Sequence, residues 1–148
     1  MNDDEDWMAI AIKEAEKGRG KVEPNPVVGA VIVEGGQMVA HAYHARYGGP
    51  HAEVIVIDAL GRPPQDDAVL YVTMEPCSTV GKTSKCTDRI VQAGIKHVVV
   101  GTIDPNPDHR GKGLDILREA GISVRAGVLE EQCAALNPNF NERMKQGG

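Results

Sequence analysis

Residues 50–86 read PHAEVIVIDALGRPPQDDAVLYVTMEPCSTVGKTSKC. His51 to Leu60 is predicted as a helix, with Ala52, Val54, Ile55, Ile57, Ala59 and Leu60 largely buried and Gly61-Arg62-Pro63-Pro64 as its stop. Ala68 to Thr73 follows as a short apolar strand. Met74 to Thr83 reads as loop from its Pro, Ser and Gly content. Ser84 to Ala93 is a second helix, capped by Thr83 or Ser84 and stopped by Gly94. A helix, a strand and a helix in succession are the repeating unit of an α/β sheet.

The flanks extend that alternation. Upstream, Asp4 to Lys17 carries Trp7, Met8, Ile10, Ala11, Ile12 and Ala15 at helical spacing, and Gly18-Arg19-Gly20 ends it. Its acidic start suits the positive end of the helix dipole. Pro24-Asn25-Pro26 leads into a buried strand over Val27 to Val33, and Gly35-Gly36 turns it into a second strand from Gln37 to His44. Downstream come a strand (Ile95 to Thr102), a turn at Asp104-Pro105-Asn106-Pro107, and a helix (Leu114 to Ala120). A fifth strand (Ile122 to Ala126) and a last helix from Leu129 to Leu136, restarted at Pro138, complete the chain. Val98-Val99-Val100 in sequence is expected of a strand covered on both faces. The later strands should therefore run parallel in a single three-layer α/β domain over residues 1–148.

A chain of 148 residues can bury a core without staples, and with one Phe and one Trp that core must be mostly aliphatic. No apolar run approaches the roughly 20 residues of a membrane span. The acidic N-terminus is unlike a signal peptide, so a cytoplasmic protein is expected. A net charge of −5 argues against a nucleic-acid partner, whose phosphates call for basic surface.

Cysteines number three, and two of them follow a His-x-Glu, Cys77 directly after Pro76. In a reducing compartment that pattern favours a metal over a disulfide. His51, Cys77 and Cys86 are three soft ligands that suit zinc and leave a fourth position open for water. His51 and Cys86 each fall in the first turn of a helix, so two helix N-termini should meet over one metal. A helix start also favours the thiolate that zinc requires. Glu53, two residues past the histidine, is placed to take a proton from the activated water and return it to a departing amine. His-x-Glu with Pro-Cys is the pattern of zinc-dependent nucleobase deaminases, in which the glutamate is not a ligand. The competing readings are a closed structural zinc or unligated thiols; the remaining Cys133 lies in a predicted helix and reads as core. Val80-Gly81-Lys82-Thr83 resembles the end of a phosphate-binding loop, but Pro76 stands where that motif needs glycine.

Nearly end to end, the chain resembles the deaminase domain of the bifunctional riboflavin-biosynthesis deaminase/reductases. The likeness runs through Lys17-Gly18-Arg19-Gly20, Pro24-Asn25-Pro26-x-Val28-Gly29, Tyr43-His44, Pro50-His51-Ala52-Glu53 and Glu75-Pro76-Cys77-Ser78. It continues through Gly81-Lys82-Thr83, Asp104-Pro105-Asn106-Pro107, Gly111-x-Gly113 and, more weakly, Leu136-Asn137-Pro138-x-Phe140. The resemblance implies a cytidine deaminase-like α/β/α sandwich around a mixed five-stranded sheet. It implies removal of the exocyclic 2-amino group of a diaminopyrimidinone bearing a ribosylamino 5′-phosphate. It puts His51, Cys77 and Cys86 on Zn2+, makes Glu53 the proton shuttle, and matches Asn25 to a position that hydrogen-bonds the pyrimidine. His44, Lys82, Asp104 and Asn106 match positions that contact ring, ribose or phosphate.

The chain departs from the family in two places: Thr79 replaces a pocket histidine, and Ser84-Lys85 replaces Pro-Pro. The first leaves room for a different aminopyrimidine, purine or nucleotide as substrate, with a non-catalytic zinc module as the reading from another class. The family's reductase domain would begin just after Arg143-Met144, so the chain is expected to be a stand-alone deaminase or one excised domain. Proteins of this lineage commonly self-associate, and a homo-oligomer is expected.

Overall fold

The computed structural model describes residues 3–23, 25–47, 49–76, 86–103 and 111–138. Along them run α1 (Asp4–Glu16), β1 (Gly29–Glu34), β2 (Gln37–Tyr43), α2 (Ala52–Leu60), β3 (Val69–Met74), α3 (Cys86–Ala93), β4 (His97–Thr102), α4 (Lys112–Glu119), β5 (Ser123–Ala126) and α5 (Glu130–Ala134). The strands form one mixed five-stranded sheet in the order β2-β1-β3-β4-β5. β1 is antiparallel to both β2 and β3, while β3, β4 and β5 are parallel. It follows that β2 runs the same way as β3. The links β2-α2-β3, β3-α3-β4 and β4-α4-β5 are thus all crossovers between co-directional strands, and they put α2, α3 and α4 on one face.

Strand periodicity sorts the core into two layers. Ala30 and Ile32 of β1, Leu70 and Val72 of β3, and Val98 and Val100 of β4 pack under Val56, Ile90, Leu114 and Leu117 of the α2–α4 face. The alternate residues Val31, Val33, Tyr71 and Val99 pack on the other face against Trp7, Met8 and Ala11 of α1 and Cys133 of α5. Both faces of β1 are buried, which is why its sequence is apolar at nearly every position.

The opposite layer is fixed at its start by Asp residues. Asp3 caps α1 by accepting from the Asp6 amide, and the Asp6 carboxylate accepts from the Asp3 amide in return. The Tyr71 hydroxyl donates to Asp4 at 2.6 Å, tying that helix start to the middle of the sheet. Close packing continues at Gly29, where a Cβ would collide with the Ala11 carbonyl and the Ala15 amide of α1.

Several expected boundaries move, for identifiable reasons. β1 begins at Gly29 rather than Val27, because both backbone groups of Val27 bond the Asn137 side chain instead of a neighbouring strand. His51 is the N-cap of α2, with extended backbone, rather than a residue of its first turn. Met74 belongs to β3 and not to the loop. Among the apolar residues of α2 only Ala52 and Val56 are buried; Val54, Ile55, Ile57 and Leu60 are half-buried and Ala59 is exposed. A single helix face meets the sheet, whereas mean hydropathy does not say which face. The last helix ends its regular part at Ala134, and any restart beyond Pro138 lies outside the described residues. No described helix is long and apolar enough to cross a membrane.

Gly29→Ala should force α1 off the sheet and destabilise the fold by roughly 1–3 kcal/mol, the usual cost of overpacking, read as a lower urea midpoint at unchanged slope. A second expectation concerns Glu14, largely buried on α1. Burial alone would raise its carboxyl, but hydrogen bonds to Lys17 and His41 outweigh this and hold its pKa below the usual value. A lowered folded pKa gives stability that is present above the unfolded value and is lost as pH falls through the folded one. Glu14→Gln should therefore flatten the loss of stability on acidification below about pH 5, measured by denaturant titration at successive pH values.

Candidate active site

Because β2, β3 and β4 run together, the N-termini of α2, α3 and α4 all open at one edge of the sheet. The antiparallel β1 brings its own entry, Asn25 to Val28, to the same edge. In open α/β sheets the carboxyl ends of the strands are where ligands bind. Each helix start also leaves backbone amides unspent within its own helix.

His51 stands at the α2 entrance and Cys86 is the first residue of α3. Their side chains meet, His51 Nδ1 lying 3.1 Å from Cys86 Sγ. Cys86 is buried at 1% exposure and Glu53, in the first turn of α2, at 3%. An imidazole nitrogen at about 2.0 Å and a thiolate at about 2.3 Å on a tetrahedral zinc lie roughly 3.5 Å apart. The pair thus fits a shared metal with a few tenths of an ångström of opening. The donor set, one imidazole and one thiol, is of zinc-binding type. The third expected ligand, Cys77, lies outside the described residues, as do Thr79, Lys82, Asp104 and Asn106.

His44 and Asn25 line the same edge. Just past β2, the backbone amide of His44 donates to the Val28 carbonyl at 3.0 Å, and its side chain is buried. Its Nδ1 is 2.9 Å from the Pro50 carbonyl, which can only accept, so Nδ1 carries the proton. Nε2 is then the lone-pair nitrogen and accepts from Asn25 Nδ2 at 3.2 Å. Burial, with the neighbouring His51 adding to it, lowers the His44 pKa against a smaller opposing effect of the Pro50 carbonyl. A lowered pKa favours the neutral ring, and these two bonds select one tautomer of it. It meets the His51 ring edge-on, centroids 5.2 Å apart. So Asn25, His44, Pro50, His51 and Cys86 form one contiguous chain of contacts.

Two further residues shape the edge through partners distant in sequence. The buried Glu75 carboxylate accepts from the amides of Gly111 at 3.0 Å and Gly113 at 2.8 Å, pinning the end of β3 to the start of α4. A Cβ on Gly113 would strike the Pro76 carbonyl, which accounts for the glycine. Glu75 and Gly111-x-Gly113 stand out in the sequence only as separate motifs, and their pairing across the chain is visible only in the fold. Asn137 is the second. Elsewhere, Cys133 is core, its thiol pushed up to about 12 by burial, and the exposed His41 pairs with the largely buried Glu14. His97 is exposed, and His109 lies outside the described residues.

Residues 1–102 match the cytidine and deoxycytidylate deaminase zinc-binding region. The riboflavin biosynthesis protein RibD of Aquifex aeolicus is 48% identical over 137 residues, which are 93% of this chain and 38% of that protein. The diaminohydroxyphosphoribosylamino-pyrimidine deaminase of Buchnera aphidicola is 40% identical, and the match covers 95% of each chain. RibD of Acinetobacter baumannii superposes with a TM-score of 0.94 at 43% identity, over 97% of this chain and 40% of that one. This chain therefore spans about two fifths of the RibD proteins it matches and nearly all of the Buchnera deaminase. With its His51–Cys86 pair inside the matched region and its sheet superposing on RibD, the chain belongs to the cytidine and deoxycytidylate deaminase family.

Proposed function

We propose that this chain is a zinc-dependent aminohydrolase that deaminates 2,5-diamino-6-ribosylamino-4(3H)-pyrimidinone 5′-phosphate in riboflavin biosynthesis. The observation that carries the reading is the 3.1 Å approach of His51 Nδ1 to Cys86 Sγ beside the buried Glu53. The substrate comes from the likeness to the Buchnera deaminase, matched along 95% of its length.

His51, Cys77 and Cys86 would hold the metal. When bound, zinc supplies the positive charge that makes water nucleophilic near neutral pH. Glu53 takes a proton from that water as the C–O bond forms at the carbon bearing the exocyclic 2-amino group. The C–N bond then breaks; one proton from water ends on the leaving amine, which departs as ammonia, and the other on a ring nitrogen. A carboxylate buried at a helix start suits this work, because it exchanges protons with the reacting atoms rather than with bulk water. Asn25, oriented by its bond to His44, faces the pyrimidine. Thr79, Lys82, Asp104 and Asn106 serve the ring, ribose and phosphate. The chain acts as a single deaminase domain in a cytoplasmic homo-oligomer, without nucleic acid or membrane as partner. The acidic net charge of −5 agrees with that.

Ammonia release by the zinc-loaded protein should be seen with the phosphorylated diaminopyrimidinone and be weaker with cytidine, deoxycytidylate, adenine and guanine. Glu53→Gln should lower kcat by roughly 10²–10⁴-fold at unchanged zinc content. Turnover of another amine in the panel, with none of the diaminopyrimidinone, would overturn the substrate. Full activity of Glu53→Gln would overturn the mechanism.

A further inference from the structure

Asn137 follows α5 at the far end of the described chain, and its side chain reaches back across the fold to Val27, 110 residues away in sequence. The Val27 amide donates to Asn137 Oδ1 at 2.7 Å, and Asn137 Nδ2 donates to the Val27 carbonyl at 3.0 Å. The carboxamide thus pairs with Val27 as a neighbouring strand would. Val27 is buried at 2% exposure and Asn137 at 8%, so neither backbone group has water as a substitute. The Arg19 guanidinium, paired with Glu16, braces this segment by donating to the Leu136 carbonyl at 2.9 Å.

Val27 lies two residues past Asn25, in the short segment that enters β1. The Asn25 amide donates to the Val22 carbonyl at 2.8 Å on one side, and Asn137 holds Val27 on the other. Between these two anchors the Asn25 side chain reaches His44 Nε2. We propose that Asn137 is a positioning residue of the active site. Its carboxamide fixes the register of the Asn25 segment, so that Asn25 meets His44 and presents its remaining polar atoms to the pyrimidine.

Only a planar group with one donor and one acceptor fits this task. Aspartate keeps the acceptor but sets a second oxygen against the Val27 carbonyl, and leucine offers neither. The link to the pyrimidine rests on the function proposed above; the link to Asn25 and His44 does not.

The test compares wild type with Asn137→Ala and Asn137→Asp. Val98→Ala, a cavity in β4 remote from Val27, serves as a comparably destabilised reference. With the phosphorylated diaminopyrimidinone, both Asn137 variants should lose roughly 10–10²-fold in kcat/KM, carried by KM, whereas Val98→Ala should keep the wild-type KM. Hydrogen exchange at the Val27 amide should accelerate in Asn137→Ala, which removes its acceptor, and in both variants the ¹⁵N signal of His44 Nε2 should shift towards that of an unbonded imidazole nitrogen. Those two signals need no substrate, so they decide the structural link even if wild type leaves the diaminopyrimidinone untouched, a result that would count against the substrate alone. An unmoved His44 signal overturns the proposal. So does a KM that rises as much in Val98→Ala as in the Asn137 variants.

Discussion

One edge of the sheet receives everything chemical in this protein because β2, β3 and β4 run in the same direction while β1 runs against them. Each crossover returns a helix whose N-terminus opens beside the carboxyl end of a strand. His51 enters α2 there, Cys86 begins α3 there, and Gly111 leads into α4 there. The reversed β1 delivers Asn25 to the same place. Had β1 been parallel, its entry would lie at the opposite edge, and the bond between Asn25 and His44 could not form. The 3.1 Å contact of His51 with Cys86 is therefore a consequence of strand direction as much as of the two residues themselves.

The residues at that edge are mostly polar and mostly buried, a combination that costs stability unless each group is satisfied. The fold meets the cost with bonds between distant segments. The Glu75 carboxylate bonds the start of α4, the Asn137 carboxamide bonds Val27, and the His44 imidazole bonds Pro50 and Asn25. The opposite face of the sheet does the complementary work with apolar contacts. Trp7, Met8 and Cys133 pack against the alternate residues of β1, β3 and β4 and hold the platform rigid.

Sequence reading recovers what is written locally. Short continuous apolar runs locate the central strands, and Gly61 and Gly94, both with positive φ, mark the ends of α2 and α3. His-x-Glu picks out the α2 entrance because a histidine and a glutamate two apart can share a ligand only at a helix mouth. Partnerships across the chain are what it does not recover. Val27 has the composition of a strand residue, yet Asn137 withdraws it from the ladder, and nothing near Val27 signals this. Glu75 reads as a motif residue of unknown use until Gly111 and Gly113 arrive beside it. The half-exposed apolar residues of α2 show the converse limit, since hydropathy gives an amount and only packing gives a direction.

The central claim is that His51, Cys77 and Cys86 hold one zinc and leave its fourth position to water. Zinc K-edge X-ray absorption on the purified, zinc-loaded protein tests this most directly. The account predicts two sulfur ligands near 2.3 Å and two nitrogen or oxygen ligands near 2.0 Å, one an imidazole and one exchangeable for a small anion. Three or four sulfur ligands, or a shell that no added anion alters, would contradict it by showing a closed structural site.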